Sequence, residues 1–362
     1  MPELPPEITS WLDVTTLTVI EVAPALFTAT ATVAGASAYI VASDPIISRG
    51  ALGVEETEAF LRAVQHAKAE GLPLILYIDS AGAKVSEGVV VQGALRKLVR
   101  ELLDARSSGL RIFSVLGRNV FGGASFLGFS ADARVYSSET RLAMTGPGVL
   151  IENNEASKEE IDDIVQSISR VKLSASDFSL LDYTPQHLLK QERLALNDER
   201  ELLKRRLVTH KLSATPGRVS REGDRCVRCE GEGNVSAADA LLHAETLDAC
   251  AGPIELYMTW QAHSLSAADE AVLLSQYLMH LAKTMHRLVA AGTSITLHIE
   301  GHIAGGFYLA VAGPATRVVL HPNGSVRTLP KAALVTILKS EAGLPEEEID
   351  PVAYGLVDAC ID

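Results

Sequence analysis

Cysteine and aromatic residues are scarce in this chain. Four cysteines in 362 residues, Cys226, Cys229, Cys250 and Cys360, are too few and too unevenly placed to frame a protein of this length, which excludes a disulfide-stapled scaffold. Aromatics make up 5%, and 32 basic residues stand against 45 acidic ones for a net charge of −13. Neither base-stacking rings nor a phosphate-binding surface dominates, so no nucleic-acid partner is expected. The opening MPELPPEITS has neither a basic nor an apolar segment, and the cytoplasm, with reduced thiols, is the expected compartment.

Charge is missing altogether from residues 22–43, a stretch long enough to span a membrane. Its internal pattern says otherwise. Phe27-Thr28-Ala29-Thr30-Ala31-Thr32-Val33 alternates with period two, Pro24 and Gly35 interrupt any helix, and Ala34-Gly35 stands where a hairpin would turn before Ala38-Tyr39-Ile40-Val41. Two antiparallel strands are expected, and no membrane segment.

What is abundant is Ala, Val and Leu interleaved with Gly, within a hydrophobic fraction of 47%. That mixture suits helices packed closely on sheets, and a chain this long buries roughly 70–75% of its unfolded surface, in two domains or one with a divided core. A soluble α/β protein is expected. Cys226 and Cys229, spaced C-x-x-C, supply half of a zinc site. Completion by His243 and Cys250 would be irregular, and a solvated loop is the plainer expectation.

The same unit occurs twice. After the hairpin come a helix over 55–70 closed by Gly71, a buried strand over 73–78, a long helix over 88–106 and a second strand over 110–116 that runs toward Gly122-Gly123. A short helix, the segment 133–136 and the turn Thr145-Gly146-Pro147-Gly148 finish the unit. Near residue 254 the order recurs: a strand over 254–258, a loop over 259–264, a helix over 267–291, a strand over 294–299, then Gly305-Gly306 and the segment 316–320. Gly123 follows Asp79 by 44 residues and Gly306 follows Thr259 by 47, so the chain reads as an internal duplication. Between the copies the composition turns charged. Ser157 and Glu160 form a capping box, Thr184-Pro185 opens a helix reaching His210, and residues 213–233 read as a loop. The expected organisation is a first half over 1–152, a charged helical insert and loop over 153–240, and a second half over 241–362.

Parallel strands joined by a crossover helix bring their ends to one sheet edge, where open α/β folds bind ligands. Here those ends carry small residues. Glycine removes the Cβ, lets a ligand reach the backbone, and leaves the first N–H groups of the next helix without an internal partner. One N–H from the Gly82-Ala83 loop and another from Gly123 or Ala124 would converge on a single oxygen as an oxyanion hole. The plainer reading, that Gly122-Gly123 and Gly305-Gly306 only permit close packing of a short helix, is weakened by their repetition.

IDSAGAKVSEG (residues 78–88) and NVFGGASFLGFSADARVYSSETRLAMTGPGVLIE (residues 119–152) resemble the β subunit of biotin-independent malonate decarboxylase, of the crotonase-like carboxyltransferase superfamily. GHIAGGFYLAVAGPATRVVL (residues 301–320) resembles the γ subunit, and AYGLVDACID (residues 353–362) is similar to the closing segment of many crotonase-fold domains. The resemblance covers residues 28–152 and 254–362. It implies two crotonase-like (ClpP/crotonase) α/β halves, pseudo-twofold related, that decarboxylate a malonyl-type thioester to the acetyl thioester through an enolate. Coenzyme A or a phosphopantetheine-type acyl carrier protein would be the handle, and no cofactor within the chain is required.

By the same resemblance, Gly82, Ala83, Gly122, Gly123 and Ala124 form the first hole and Gly305, Gly306 and Phe307 the second. Lys84, Ser86, Glu87, Gly146, His263 and His302 would contact substrate. Lys84 replaces an arginine. Glu87 is either a proton donor or a helix N-terminal carboxylate, and His263 and His302 are alternative donors. The local basic cluster of Lys211, Arg218, Arg221, Arg225 and Arg228 would receive coenzyme A phosphates or an acidic carrier protein, or else is a solvated loop.

Three departures qualify the match. Gly146-Pro147-Gly148 lacks the family's carboxylate, Thr259-Trp260-Gln261-Ala262 replaces a glycine-bearing loop, and both halves are short. With Phe126 and Gly148 where enoyl-thioester hydratases carry carboxylates, hydration is disfavoured. The alternatives are a carboxyltransferase subunit served by a separate biotin carrier and a non-catalytic scaffold subunit. A homo-oligomer, or a complex with acyl-transferase and carrier subunits, is expected.

Overall fold

In the computed structural model, which describes residues 6–166, 176–179, 184–223, 225–231, 233–259, 262–329, 333, 336 and 349–361, the uncharged segment is a β-hairpin. A short helix α1 (Pro6–Thr9) leads into β1 (Leu12–Ala23), followed by β2 (Leu26–Val33) and β3 (Ala36–Ser43), which pair antiparallel with Val33 opposite Ala36. Ala34 and Gly35 between them take φ of 51° and 83°, the left-handed pair whose twist suits a two-residue hairpin. No helix among the described residues is long and apolar enough to cross a membrane.

Next come α2 (Val54–Glu70), β4 (Leu74–Ser80), α3 (Val90–Ser107), β5 (Ile112–Phe121), α4 (Gly123–Gly128), β6 (Ala133–Tyr136), β7 (Arg141–Ala143), α5 (Pro147–Asn154), α6 (Lys158–Val165) and β8 (Asp177–Ser179). The first sheet runs β1-β2-β3-β4-β5-β6-β8, parallel from β3 onward. β5 continues five residues beyond its expected end at 116. The Asp79 carboxylate accepts the Arg118 and Asn119 N–H groups at 2.9 and 3.1 Å, carrying the strand round a bend to pair with β7.

The connecting segment differs from expectation in two places. The single helix expected from Thr184 to His210 is two, α7 (Pro185–Lys190) and α8 (Leu196–His210). In the gap, Arg193 reaches the buried Asp132 carboxylate at 2.5 Å and the Arg106 and Leu110 carbonyls. The loop expected over 213–233 contains a hairpin, β9 (Val219–Glu222) and β10 (Cys226–Cys229), and β10 pairs parallel with the strand Ile254–Met258. Short strands with arginine and cysteine at alternate positions give little hydrophobic signal, so the composition hid them.

The chain carries β9 and β10 into the second sheet, and at the expected boundary of 240 it lies inside α9 (Ala237–Asp248). It continues with β11 (Ile254–Met258), α10 (Ala267–Ala271), α11 (Leu274–Ala290), β12 (Ile295–Ile299), β13 (His302–Ala304), α12 (Gly305–Ala312), β14 (Arg317–Leu320), β15 (Ser325–Arg327) and β16 (Ala359–Cys360). Its sheet runs β16-β14-β12-β11-β10-β9. The helix expected over 267–291 is broken at Leu273, φ 66°, and the Val272 carbonyl accepts from Arg206 of α8 at 2.8 Å. Hairpin, helix, strand, helix, strand, short helix and strand thus follow in the same order twice, a mixed α/β architecture in duplicate.

One apolar core runs through both halves. Leu95, Leu98, Val99 and Leu102 of α3 share it with Leu278, Leu281 and Leu309 of the second half, each buried leucine contributing about 1.5–3 kcal/mol. At the seam a Cβ on Gly313 would stand 2.6 Å from the Val99 side chain. Residues 351–361 cross back onto α3: Arg96 donates to the Gly355 carbonyl at 3.1 Å and to Asp358 at 2.7 Å. Glu199 of α8 is buried against Lys283 (3.3 Å) and His280 (3.1 Å) of α11. Burial alone would raise its carboxyl, but the Lys283 ammonium, the hydrogen bond to His280 and the Arg106 guanidinium hold it well below the usual range.

Candidate active site

The β4 end and the β5 end meet through two glycines. Gly82 has φ 99°, and a Cβ there would lie 2.8 Å from the Phe121 carbonyl oxygen and 3.4 Å from the Gly122 Cα, so no larger residue fits. Leu52 holds this loop from one side, donating its N–H to the Gly82 carbonyl (2.8 Å) and accepting from the Lys84 N–H (2.9 Å). Residues alternate along an extended chain, so the Ala83 N–H between them faces away from Leu52. It has no acceptor among the described residues.

Gly122 precedes α4 with φ 58° and ψ −131°, and its N–H donates to the Ala143 carbonyl at 3.1 Å. The Gly123 N–H, in the first turn of α4, has no backbone acceptor among the described residues, as helix geometry requires. Gly305, the corresponding residue of the second half, also has φ 58°. Its neighbour is the His263 ring, whose Cε1 and Nδ1 lie 2.8 and 3.0 Å from where a Gly305 Cβ would be, while Gly306 abuts the Met144 sulfur of the first half.

Both glycine pairs line a single cleft of about 760 Å³ between the halves, together with Ala83, Lys84, Ser86, Gln92, Gly146 and His263. Gly146 and Gly148 face open space. The turn that carries them is fixed from the other half: Glu270, fully buried, accepts the Met144 and Thr145 N–H groups at 3.2 and 2.7 Å. No Asp or Glu side chain lines the cleft among the described residues. Arg49 and Lys84 put two cations at its first-half side. The Glu87 hydrogen bond raises Lys84, whereas burial pushes His263 down to about 4, so that ring is neutral at pH 7.

Several expected site residues lie elsewhere. Glu87 is neither at the cleft nor on its own helix's N-terminus: it accepts the Val54 N–H at 2.7 Å and so caps α2, while pairing with Lys84 at 2.8 Å. His302 sits on β13 bonded to Ser325 at 2.8 Å, outside the cleft lining. The Phe307 side chain and Ala124 are core residues. None of Lys211, Arg218, Arg221, Arg225 and Arg228 lines the cleft. Lys211 closes α8. Arg218 and Arg221 bond the Asn234 and Ala249 carbonyls, Arg225 lies beside Gly252, and Arg228 sits among Glu222, Glu230 and Glu300. Local carboxylates and carbonyls occupy much of this charge.

Cys226 and Cys229 lie three apart on β10, which sends them to opposite faces; Cys229 is buried 3.2 Å from His243, while Cys226 faces Glu222. The strand thus separates the proposed zinc pair. Trp260 and Gln261, of the altered second loop, lie outside the described residues. Sequence reasoning missed Arg49, Gln92, Met144 and Glu270. Only Gln92, a lone polar residue inside the apolar run of α3, left a readable signal.

Residues 15–162 match the carboxyl transferase domain family. The chain is 31% identical over 129 residues to the acetyl-coenzyme A carboxylase carboxyl transferase subunits beta/alpha of Salinispora tropica, covering 35% of this chain and 23% of that protein. It is 27% identical over 166 residues to a probable biotin-dependent acyl-coenzyme A carboxylase beta2 subunit of Mycobacterium tuberculosis, 45% of this chain and 30% of that one. The matched stretches thus span less than a third of either relative. A Pseudomonas malonate decarboxylase hetero-tetramer in complex with malonate is similar in structure at 17% identity, with a TM-score of 0.49, over 58% of this chain and 90% of that chain. The transcarboxylase 12S core with hydrolysed methylmalonyl-coenzyme A follows at 16% identity and 0.42, over 98% and 86%.

Proposed function

We propose that the cleft decarboxylates a malonyl-type thioester, carried by coenzyme A or an acyl carrier protein, to the acetyl-type thioester. The observation that carries this reading is a cleft lined by Ala83 and Gly123, whose N–H groups have no backbone acceptor among the described residues, and by no carboxylate among its described lining residues. A general base is what a hydratase needs to activate water. Loss of CO2 needs none: the C–C bond electrons move into the thioester carbonyl, CO2 leaves, and the negative charge collects on the thioester oxygen. The Ala83 and Gly123 N–H groups would hold that oxygen, each such donor typically lowering the barrier by about 3–4 kcal/mol. The Gly305-Gly306 backbone would turn the carboxylate out of the thioester plane. A proton from solvent then completes the acetyl group, since the His263 ring, neutral at pH 7, is too weak an acid to supply it.

A second reading is favoured by the curated relatives, among them carboxyl transferase subunits of an acetyl-coenzyme A carboxylase and the beta2 subunit of a probable biotin-dependent acyl-coenzyme A carboxylase. The same enolate chemistry would then pass the carboxyl group to biotin on a separate carrier. Val14, Ile20 and Val22, half exposed on the edge strand β1, support work within an oligomer or a larger assembly.

One experiment decides between them. The purified chain is incubated with malonyl-coenzyme A or malonyl-carrier protein, with and without a biotinylated carrier, and acetyl thioester is followed by mass. Acetyl product without biotin supports decarboxylation, and product only with the biotinylated carrier supports transfer. Absence of product in both arms overturns both readings and leaves the scaffold role.

A further inference from the structure

We propose that Gln92 and His263 form a subsite on the cleft wall that takes a neutral group pairing an N–H donor with a C=O acceptor. Gln92, of the first half, is 2% exposed, and His263, of the second, is 3% exposed. Both line the cleft. Gln92 Nε2 donates to the Thr328 carbonyl at 3.0 Å, which fixes the amide: a carbonyl only accepts, so Oε1 is the free acceptor. Gln92 Oε1 has no partner among the described residues, and neither has His263 Nδ1. Buried polar atoms in folded proteins are almost always paired, so two orphans on one cleft wall mark a place that a ligand completes.

The two groups belong to one neighbourhood. A Gly305 Cβ would stand 3.7 Å from the Thr328 carbonyl that holds Gln92 and 3.0 Å from His263 Nδ1. Their surroundings select the ligand. Arg49 and Lys84, the cations of the lining, come from the first-half loops, whereas the second-half lining contributes apolar Leu265, Leu309, Leu329 and Ala333. A carboxylate here would face the Gln92 carbonyl oxygen with no counter-ion. A neutral N–H can donate to Gln92 Oε1 while its adjacent C=O accepts from the neutral imidazole.

This inference rests on the proposed thioester reading for the source of the group, and two sources share the chemistry: a secondary amide of a pantetheine-type arm and the cyclic urea of a biotin-type carrier. Calorimetric titration of the intact chain with pantetheine, with 2-imidazolidinone, and with an amide-free thioether chain of pantetheine's length separates them. In Gln92→Met and His263→Phe, affinity for one of the first two probes is expected to fall about tenfold or more, with the amide-free chain unaffected. A fall for pantetheine assigns the arm amide; a fall for 2-imidazolidinone assigns the urea. Wild-type binding of both no tighter than the amide-free chain, or unchanged affinities in both variants, overturns the subsite. Should Gln92→Met fail to fold, as judged by its circular dichroism melt, Gln92→Leu and His263→Leu, which likewise remove the acceptor and the donor, give the same readout. Because binding is read without turnover, failure of the decarboxylase reading shows separately, as absent acetyl product with intact probe binding.

Discussion

Glu270 of the second half accepts the Thr145 N–H of the first at 2.7 Å, and its other oxygen accepts from Met144 at 3.2 Å. The carboxylate is fully buried and clamps the turn that forms one wall of the cleft. Replacing it with glutamine sets an NH2 group against a backbone N–H. Glu270→Gln is expected to lower stability by about 1.5–3 kcal/mol, the range for a hydrogen bond to a charged group. Urea denaturation measures this, and an unchanged midpoint would show that the clamp is not made.

Gly122 and Gly123 should part company under substitution. Gly122 has φ 58°, where a side chain is strained whatever the space, so Gly122→Ala is expected to cost about 1–3 kcal/mol and to tilt the following N–H. An alanine at Gly123 would meet only Leu95 and Leu309 at ordinary contact distance. Gly123→Ala should therefore melt within a few degrees of wild type. Equal melting temperatures for both variants would contradict the strain assignment.

His243 and His263 make the fold sensitive to acid. Burial pushes them down to about 3 and about 4, against an ordinary value near 6.5. Between pH 6.5 and 4 the unfolded chain binds protons that the folded chain refuses, so stability falls as pH falls. Near pH 5 two such protons correspond to a slope of about 2.7 kcal/mol per pH unit. His243→Leu should remove about half of that slope in urea midpoints compared between pH 5 and 6; an unaltered slope would assign the acid sensitivity to other groups.

Arg49 has φ 56° and ψ 36°, and its carbonyl accepts the Ala81 N–H at 3.0 Å, so the strained residue touches the loop bearing Ala83. Arg49→Gly is expected to relieve about 1 kcal/mol of backbone strain. It should also reduce the preference for coenzyme A over pantetheine if the cation meets phosphate. Melting temperature and a pair of binding titrations read the two effects, and an undiminished preference would assign phosphate recognition elsewhere.

The halves were legible because long apolar-periodic helices and buried strands carry their own signal: α2, β4, β11 and the hairpin of β2 and β3 stand within a residue or two of expectation. Breaks were not legible. Leu273 interrupts α10 and α11 without glycine or proline, because Arg206 and the core around it reward the left-handed turn more than propensity resists it. β9 and β10 were hidden for the opposite reason, since strands that pair at a sheet edge need little hydrophobic content. At the site, glycines are readable because nothing else adopts their conformations. Gln92 and Glu270 work through partners about 236 and 126 residues away, a proximity that no local pattern encodes.

Gly93 and Arg96 of α3 are covered by residues 354–358, the Gly93 backbone lying so close to the Tyr354 carbonyl that a Cβ would stand 2.0 Å from it. During synthesis the first sheet can form long before that segment leaves the ribosome. Until it does, the helix forming one wall of the cleft remains open to water on the face that Arg96 later closes. A chain cut at residue 340 would hold both glycine pairs yet lack the segment that covers Gly93 and Arg96, so one wall of the cleft leans on residues that line none of it.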